Sequence, residues 1–114
     1  MLHYNVWFSF KDGVDEQHGL TVVAEFLREL CASDEIATFR LLRNTSGAPR
    51  SKLPKFQALV EYPDAAALGR SMKAQHTRGI HAGAHGKVVE IVSDFRVEVF
   101  TVIDTPPSRP TTSV

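Results

Sequence analysis

The chain of 114 residues has a single cysteine, no net charge and no long apolar run, and each absence removes a class of protein. A lone thiol, Cys31, closes no disulfide framework, and Cys-rich zinc sites are excluded with it. The 13 Lys+Arg are balanced by 13 Asp+Glu, so there is no basic footprint for gripping nucleic-acid phosphates. No stretch comes near the ~18 consecutive apolar residues of a membrane helix. No basic segment leading into an apolar one opens the chain, so no secretory leader is expected and the chain reads as cytoplasmic. A nucleotide fingerprint, a Ser/His/Asp arrangement and a carboxylate pair are all missing.

What is present suits one folded domain. Hydrophobic residues make up 43% and charged residues 23%, ordinary values for a globular chain. The domain is expected over residues 1–103. The remainder, 104–114, holds half of the six prolines and little that could be buried, so a disordered tail is expected there.

Periodicity divides the domain. His3 to Phe10, rich in aromatic and β-branched residues, reads as a strand ended by Lys11-Asp12-Gly13. Leu20, Val23, Ala24, Leu27, Leu30 and Cys31 then recur at helical spacing, predicting a helix over about 15–32 with Asp12 or Asp15 as its cap. Ile36 to Arg43 and Phe56 to Tyr62 read as strands, separated by a polar loop holding Gly47, Pro49 and Pro54. Asp64 caps an alanine-rich helix of about 65–76. Thr77 to Gly86, with three glycines, reads as a loop, and Val88 to Ile103 as one long strand, bent near Ser93-Asp94. The order βαββαβ predicts an α+β, ferredoxin-like fold: a four-stranded antiparallel sheet with two helices on one face.

Alternation assigns the faces. Tyr4, Val6, Phe8 and Phe10, with Ala37, Phe39, Leu41, then Phe56, Ala58, Val60, Tyr62, and Val89, Ile91, Phe95, Val97, Val99, Ile103, form nearly pure apolar rows that belong under the helices. The opposite rows are mixed, yet Trp7, Leu42, Leu59, Val92, Phe100 and Val102 make an apolar surface with no helix left to cover it. A patch of this size marks a contact site, and each such side chain is worth roughly 1.5–3 kcal/mol when buried. The simplest cover is a second copy about a two-fold axis; the alternative is a sheet that tolerates scattered exposed hydrophobics.

The βαββαβ order, the short chain and the long last strand resemble the dimeric α+β barrel superfamily, which includes antibiotic-biosynthesis-monooxygenase-like and EthD-like proteins. The opening Tyr4-Asn5-Val6-Trp7-Phe8-Ser9-Phe10, with Ser93-Asp94-Phe95-Arg96-Val97-Glu98 near the end, resembles a small bacterial family of unknown function. The resemblance implies a homodimer with two sheets face to face, and a cofactor-independent oxygenase-like or small-molecule-binding role for an aromatic compound. It also implies Asn5, Trp7 and His76 as candidate catalytic residues, since some superfamily members place an Asn, a Trp and a His or Tyr around the ligand. Read from the residues alone, Trp7 packs in a dimer interface and Asn5 satisfies a local hydrogen bond. A non-catalytic ligand- or partner-binding dimer is the alternative function.

Three further features need a reading. His76, His81 and His85 could share a metal or stand as separate solvated loop residues; a histidine there could also trade a proton near neutral pH. No cofactor is expected. On the mixed rows, Arg40, Arg96, Glu61, Glu90, Asp94 and Glu98 must pair or line a wet cavity once covered. They set the register of a dimer, or they line a pocket in which His3, Arg40 and Arg96 meet the ligand. Finally, Lys55-Phe-Gln-Ala-Leu-Val-Glu-Tyr62 resembles the third strand of an RNA-binding RRM. It places Gln57 and Leu59 where that module stacks bases on aromatic rings, so nucleic acid is not an expected partner.

Overall fold

Residues 1–46 and 51–103 are described by the structure, a computed structural model; the tail expected over 104–114 lies outside the described residues. The elements run β1 (Leu2–Phe10), α1 (Glu16–Ala32), β2 (Thr38–Arg43), β3 (Phe56–Tyr62), α2 (Ala65–Arg78), α3 (Gly83–Ile91) and β4 (Val92–Thr101). The strands form one antiparallel sheet in the order β2-β3-β1-β4. This is the α+β, ferredoxin-like sheet expected from the hydrophobic pattern.

Residues directly opposite one another in a sheet share a face. Tyr4 faces Val60 and Val99, Val6 faces Ala58 and Val97, and Phe8 faces Phe56, so the apolar rows share one face. The helices bury its β3 row, but Phe95, Val99 and Ile103, expected beneath the helices, are 59%, 46% and 84% exposed at the β4 edge. Phe8 and Phe56 are 2% and 3% exposed, with ring centroids 5.8 Å apart. The helices begin where short carboxylates can take free N–H groups: Asp15 accepts from His18 N at 2.9 Å, and Asp64 from Ala67 N at 2.8 Å. Val23, Ala24, Leu27 and Leu30 are the buried stripe of α1, and Cys31 packs half-buried against the same core.

Two further expectations are corrected. Val88 to Ile91 is not strand: it is the second half of an additional helix, α3. Its β-branched residues favour a strand locally, but packing against α1 overrides that preference, with the His85 ring edge-on to Phe26 at 5.2 Å. The glycines punctuate this region rather than leaving it a loop. Gly79, at φ 92°, ends α2. At Gly86 a Cβ would lie 2.2 Å from the His81 carbonyl oxygen, so only glycine lets the preceding loop close onto α3.

The second correction concerns the face of Val92. Trp7 pairs with Arg96, but Ser9 pairs with Ser93, so β4 carries one extra residue at the expected bend. Asp94 adopts φ 46° there, a left-handed conformation that Asp tolerates better than most residues. The slip turns Val92, opposite Phe10, toward the helices, where it packs on the core. The uncovered face therefore keeps Trp7, Leu42, Leu59, Phe100 and Val102 without Val92.

Candidate functional site

The helices do not fill the space above the sheet. The second helix turns small residues inward, Ala67 and Ser71 being its buried positions, and Ala58 lies on the strand beneath it. The result is a cavity of about 340 Å³, within the size range of small-molecule sites. Tyr4, Val6, Ala58, Val60 and Tyr62 form its floor, Phe26, Leu27 and Leu30 of α1 one wall, and Ser71, Met72, Gln75 and His76 of α2 another; His85, Val88, Val92 and Phe95 complete it.

Within this apolar lining the polar groups are few and ordered. Tyr62 Oη donates to Ser71 Oγ at 3.1 Å, a buried bond. The Tyr4 ring meets the Tyr62 ring edge-on, with centroids 6.1 Å apart. Burial pushes both phenols above their ordinary pKa, and at Tyr62 this outweighs the opposing Ser71 bond. Glu35 stands behind Ser71. Its burial alone would raise its pKa, but Arg78, Ser33 and Ser71 together hold it below the usual value; Arg78 reaches it at 2.8 and 3.3 Å and Ser33 Oγ at 2.9 Å.

The expected site residues divide between the two faces. His76 lines the cavity, whereas Asn5 and Trp7 point from the opposite side of the sheet, paired with Leu59 and Gln57. The structure thus does not bring the three together, because strand alternation forbids it. Asn5 is 3% exposed and is satisfied within the sheet: its amide donates to the carbonyls of His3 and Glu98 at 3.2 and 3.3 Å, and its Oδ1 accepts from Gln57 at 2.8 Å. His3 pairs with Glu61 at 3.0 Å and Arg96 with Asp94 at 3.5 Å. Arg40 is exposed opposite Leu59, so His3, Arg40 and Arg96 all belong to the uncovered face.

The histidine trio is not gathered at one point. His76 sits near the end of α2, His81 in the linker and His85 on α3. Of the three, His76 and His85 line the cavity, and His85 Nδ1 is engaged with the Ile80 carbonyl at 2.5 Å. No group of three potential metal ligands occurs among the described residues. The residues that sequence reasoning missed are Tyr4, Tyr62 and Ser71. Their signal was present: both tyrosines of the chain sit in otherwise apolar rows, where a phenol tip needs a partner.

Residues 1–111 match the model of a family of unknown function, DUF6614. The chain belongs to that family. Among solved structures, this DUF6614 member is similar to a dabb family protein with a ferredoxin-like fold from Mesorhizobium loti, at 19% identity and TM-score 0.67, covering 90% of this chain and 97% of that one. It is similar to a variant of SnoaB, a cofactor-independent oxygenase from Streptomyces nogalater, at 13% identity and TM-score 0.67, covering 94% and 97%. It is also similar to a dimeric ferredoxin-like protein of unknown function from Thermobifida fusca, at 13% identity and TM-score 0.63, covering 89% and 90%. At these identities the likeness speaks for the fold. No curated protein matches. Among the described residues no helix is long and apolar enough to cross a membrane.

Proposed function

We propose that the protein is a homodimer, joined through the uncovered sheet faces, in which each protomer holds a small aromatic ligand in the cavity beneath its helices. The cavity carries this reading: it is largely apolar, has a few convergent polar groups, and is large enough for a ring system of two or three rings. A second copy suits the other face, where Trp7, Leu42, Leu59 and Phe100 lie beside the paired groups Asn5/Gln57, His3/Glu61 and Arg96/Asp94, and where Arg40 and Glu98 are left to pair across the interface. Asn5 with Gln57 and His3 with Glu61 would enter an interface without unmet hydrogen bonds. The Thermobifida fusca protein, described as dimeric, supports self-association.

The enzymatic form of this proposal is oxygenase-like chemistry without a cofactor, supported by the likeness to SnoaB. His76 would remove a proton from the ligand, leaving an electron-rich anion that dioxygen can oxidise directly, while the apolar walls exclude water. Asn5 and Trp7 then serve the interface. The second reading, a non-catalytic binding dimer, keeps the cavity and assigns no proton transfer to His76.

Equilibrium dialysis with 2-naphthol tests the ligand site. Val88→Trp, which fills the cavity from α3, should weaken binding at least tenfold, and a wild-type protein that leaves the probe unbound at millimolar concentration would sink the proposal. Oxygen uptake with hydroxylated aromatic probes separates the two forms: uptake lost in His76→Ala supports catalysis, and binding without uptake supports the binding dimer.

A further inference from the structure

The side chains that line the cavity are not equally covered. Phe8, Leu27, Val60 and Tyr62 are buried, whereas Met72 of α2, Ile80 of the linker between α2 and α3, and Phe95 of β4 line the same cavity and are exposed, the last two by more than half. Residues that both line a cavity and meet solvent mark its mouth. A single exposed hydrophobic needs no explanation, but here large ones from three separate segments gather at one opening. All of them lie on the helix side of the sheet, away from the face offered to a second copy. The rim is continuous with the cavity, so the occupant that reaches both is one and the same ligand.

We propose that Met72, Ile80 and Phe95 form an outer subsite for a hydrocarbon arm of the ligand, so that the site selects aromatic compounds bearing such an arm over compact ring systems. The rings fill the cavity and the arm lies over its mouth. His76 also lines the cavity and is exposed, so a ligand hydroxyl at His76 stands at the same end. The arm is therefore carried on the ring carbon beside that hydroxyl. Arm and rim are removed from water together, and this apolar burial is the source of the added affinity. This inference rests on the ligand-binding reading and deepens it by naming the part of the ligand that extends beyond the rings.

The test is a fluorescence titration of wild type, Ile80→Ser, Phe95→Ser and Phe100→Ser with two probes, 2-naphthol and 3-hexyl-2-naphthol, after circular dichroism has shown that each variant is folded. Wild type should bind the hexyl compound at least about tenfold more tightly, because several methylenes leave water. Ile80→Ser and Phe95→Ser should each reduce that ratio by about threefold or more, while changing the affinity for 2-naphthol by less than about twofold. Phe100→Ser, on the open face, should leave the ratio as it is in wild type. An arm that slips into the inner end of the cavity, or that clings to any apolar surface, would keep its advantage in both rim variants; that result overturns this inference alone, as does equal binding of the two probes to wild type. Sedimentation equilibrium of the same variants is the second check: self-association weakened in Ile80→Ser would assign the rim to a second copy and overturn the inference as well. Failure of wild type to bind either probe overturns the ligand-binding reading and this inference with it.

Discussion

On the helix side of the sheet Phe8, Phe56 and Val60 are 2–3% exposed, whereas on the other side Leu42 and Phe100 are 42% and 52% exposed. The same strands supply both sets. The two faces differ in how they meet their polar groups as well as in what covers them. The covered face is almost wholly apolar, and its few hydroxyls gather around the cavity. The open face spreads its polar side chains over the sheet and pairs several of them there, as Gln57 does with Asn5 at 2.8 Å. A wet face can afford polar groups anywhere, while a dry one keeps them only where a partner stands. The cavity therefore lies on the better covered side, and the open side keeps exposed apolar residues among its polar ones.

The comparison is broken most directly by paired truncations. Phe8→Ala should cost about 3–5 kcal/mol in urea denaturation, the usual loss for a buried aromatic ring. Phe100→Ala should change the stability of the isolated protomer by less than about 0.5 kcal/mol but weaken self-association about tenfold or more in sedimentation equilibrium. If the two variants destabilise the protomer equally, the faces are not different in kind. Gly86→Ala comes next: it forces α3 away from the His81 carbonyl and should cost about 1–3 kcal/mol, read as a lowered denaturant midpoint. Asn5→Ala removes the partner of Gln57 and two amide donations, and should cost about 1–2 kcal/mol; a neutral result would mean that water replaces Asn5 freely.

The smallest expected effect depends on pH. Glu35 has a folded pKa below its ordinary value. Its contribution is therefore fully present above the unfolded carboxylate pKa and is lost as pH falls through the folded value. With Arg78 half-exposed, the contribution is about 1 kcal/mol or less. Arg78→Ala should flatten the acid limb of the stability curve below about pH 4.5, leave the curve above neutral pH parallel to that of wild type, and sharpen the distinction between a polar group tied to the cavity wall and one free on the open face.

Much of the architecture was legible in local pattern. Alternation in Tyr4-Val6-Phe8-Phe10 and Phe56-Ala58-Val60-Tyr62 placed the core rows, and Asp15 and Asp64 marked helix starts because a short carboxylate is the natural acceptor for free N–H groups. The third helix was hidden because Val88, Val89 and Ile91 favour a strand when read alone, and only contact with α1 reverses that preference. The site was hidden for a related reason. Asn5 and His76 are both chemically suggestive residue types, but alternation sends Asn5 to the far side of the sheet, while Tyr62 and Ser71, distant from the notable histidines in character, share the buried wall.

By itself, the sequence determined the sheet, its two dissimilar faces and the first two helices, because those follow from periodicities of two and 3.6 residues that any local window displays. Tertiary structure alone decided that Val88 to Ile91 would be helical, that Asp94 would turn Val92 inward, and that a void would open between Ala58 and Ser71. Each of these depends on how surfaces far apart in the chain fit together, and no spacing of residues along the chain encodes the volume left between a helix and a sheet.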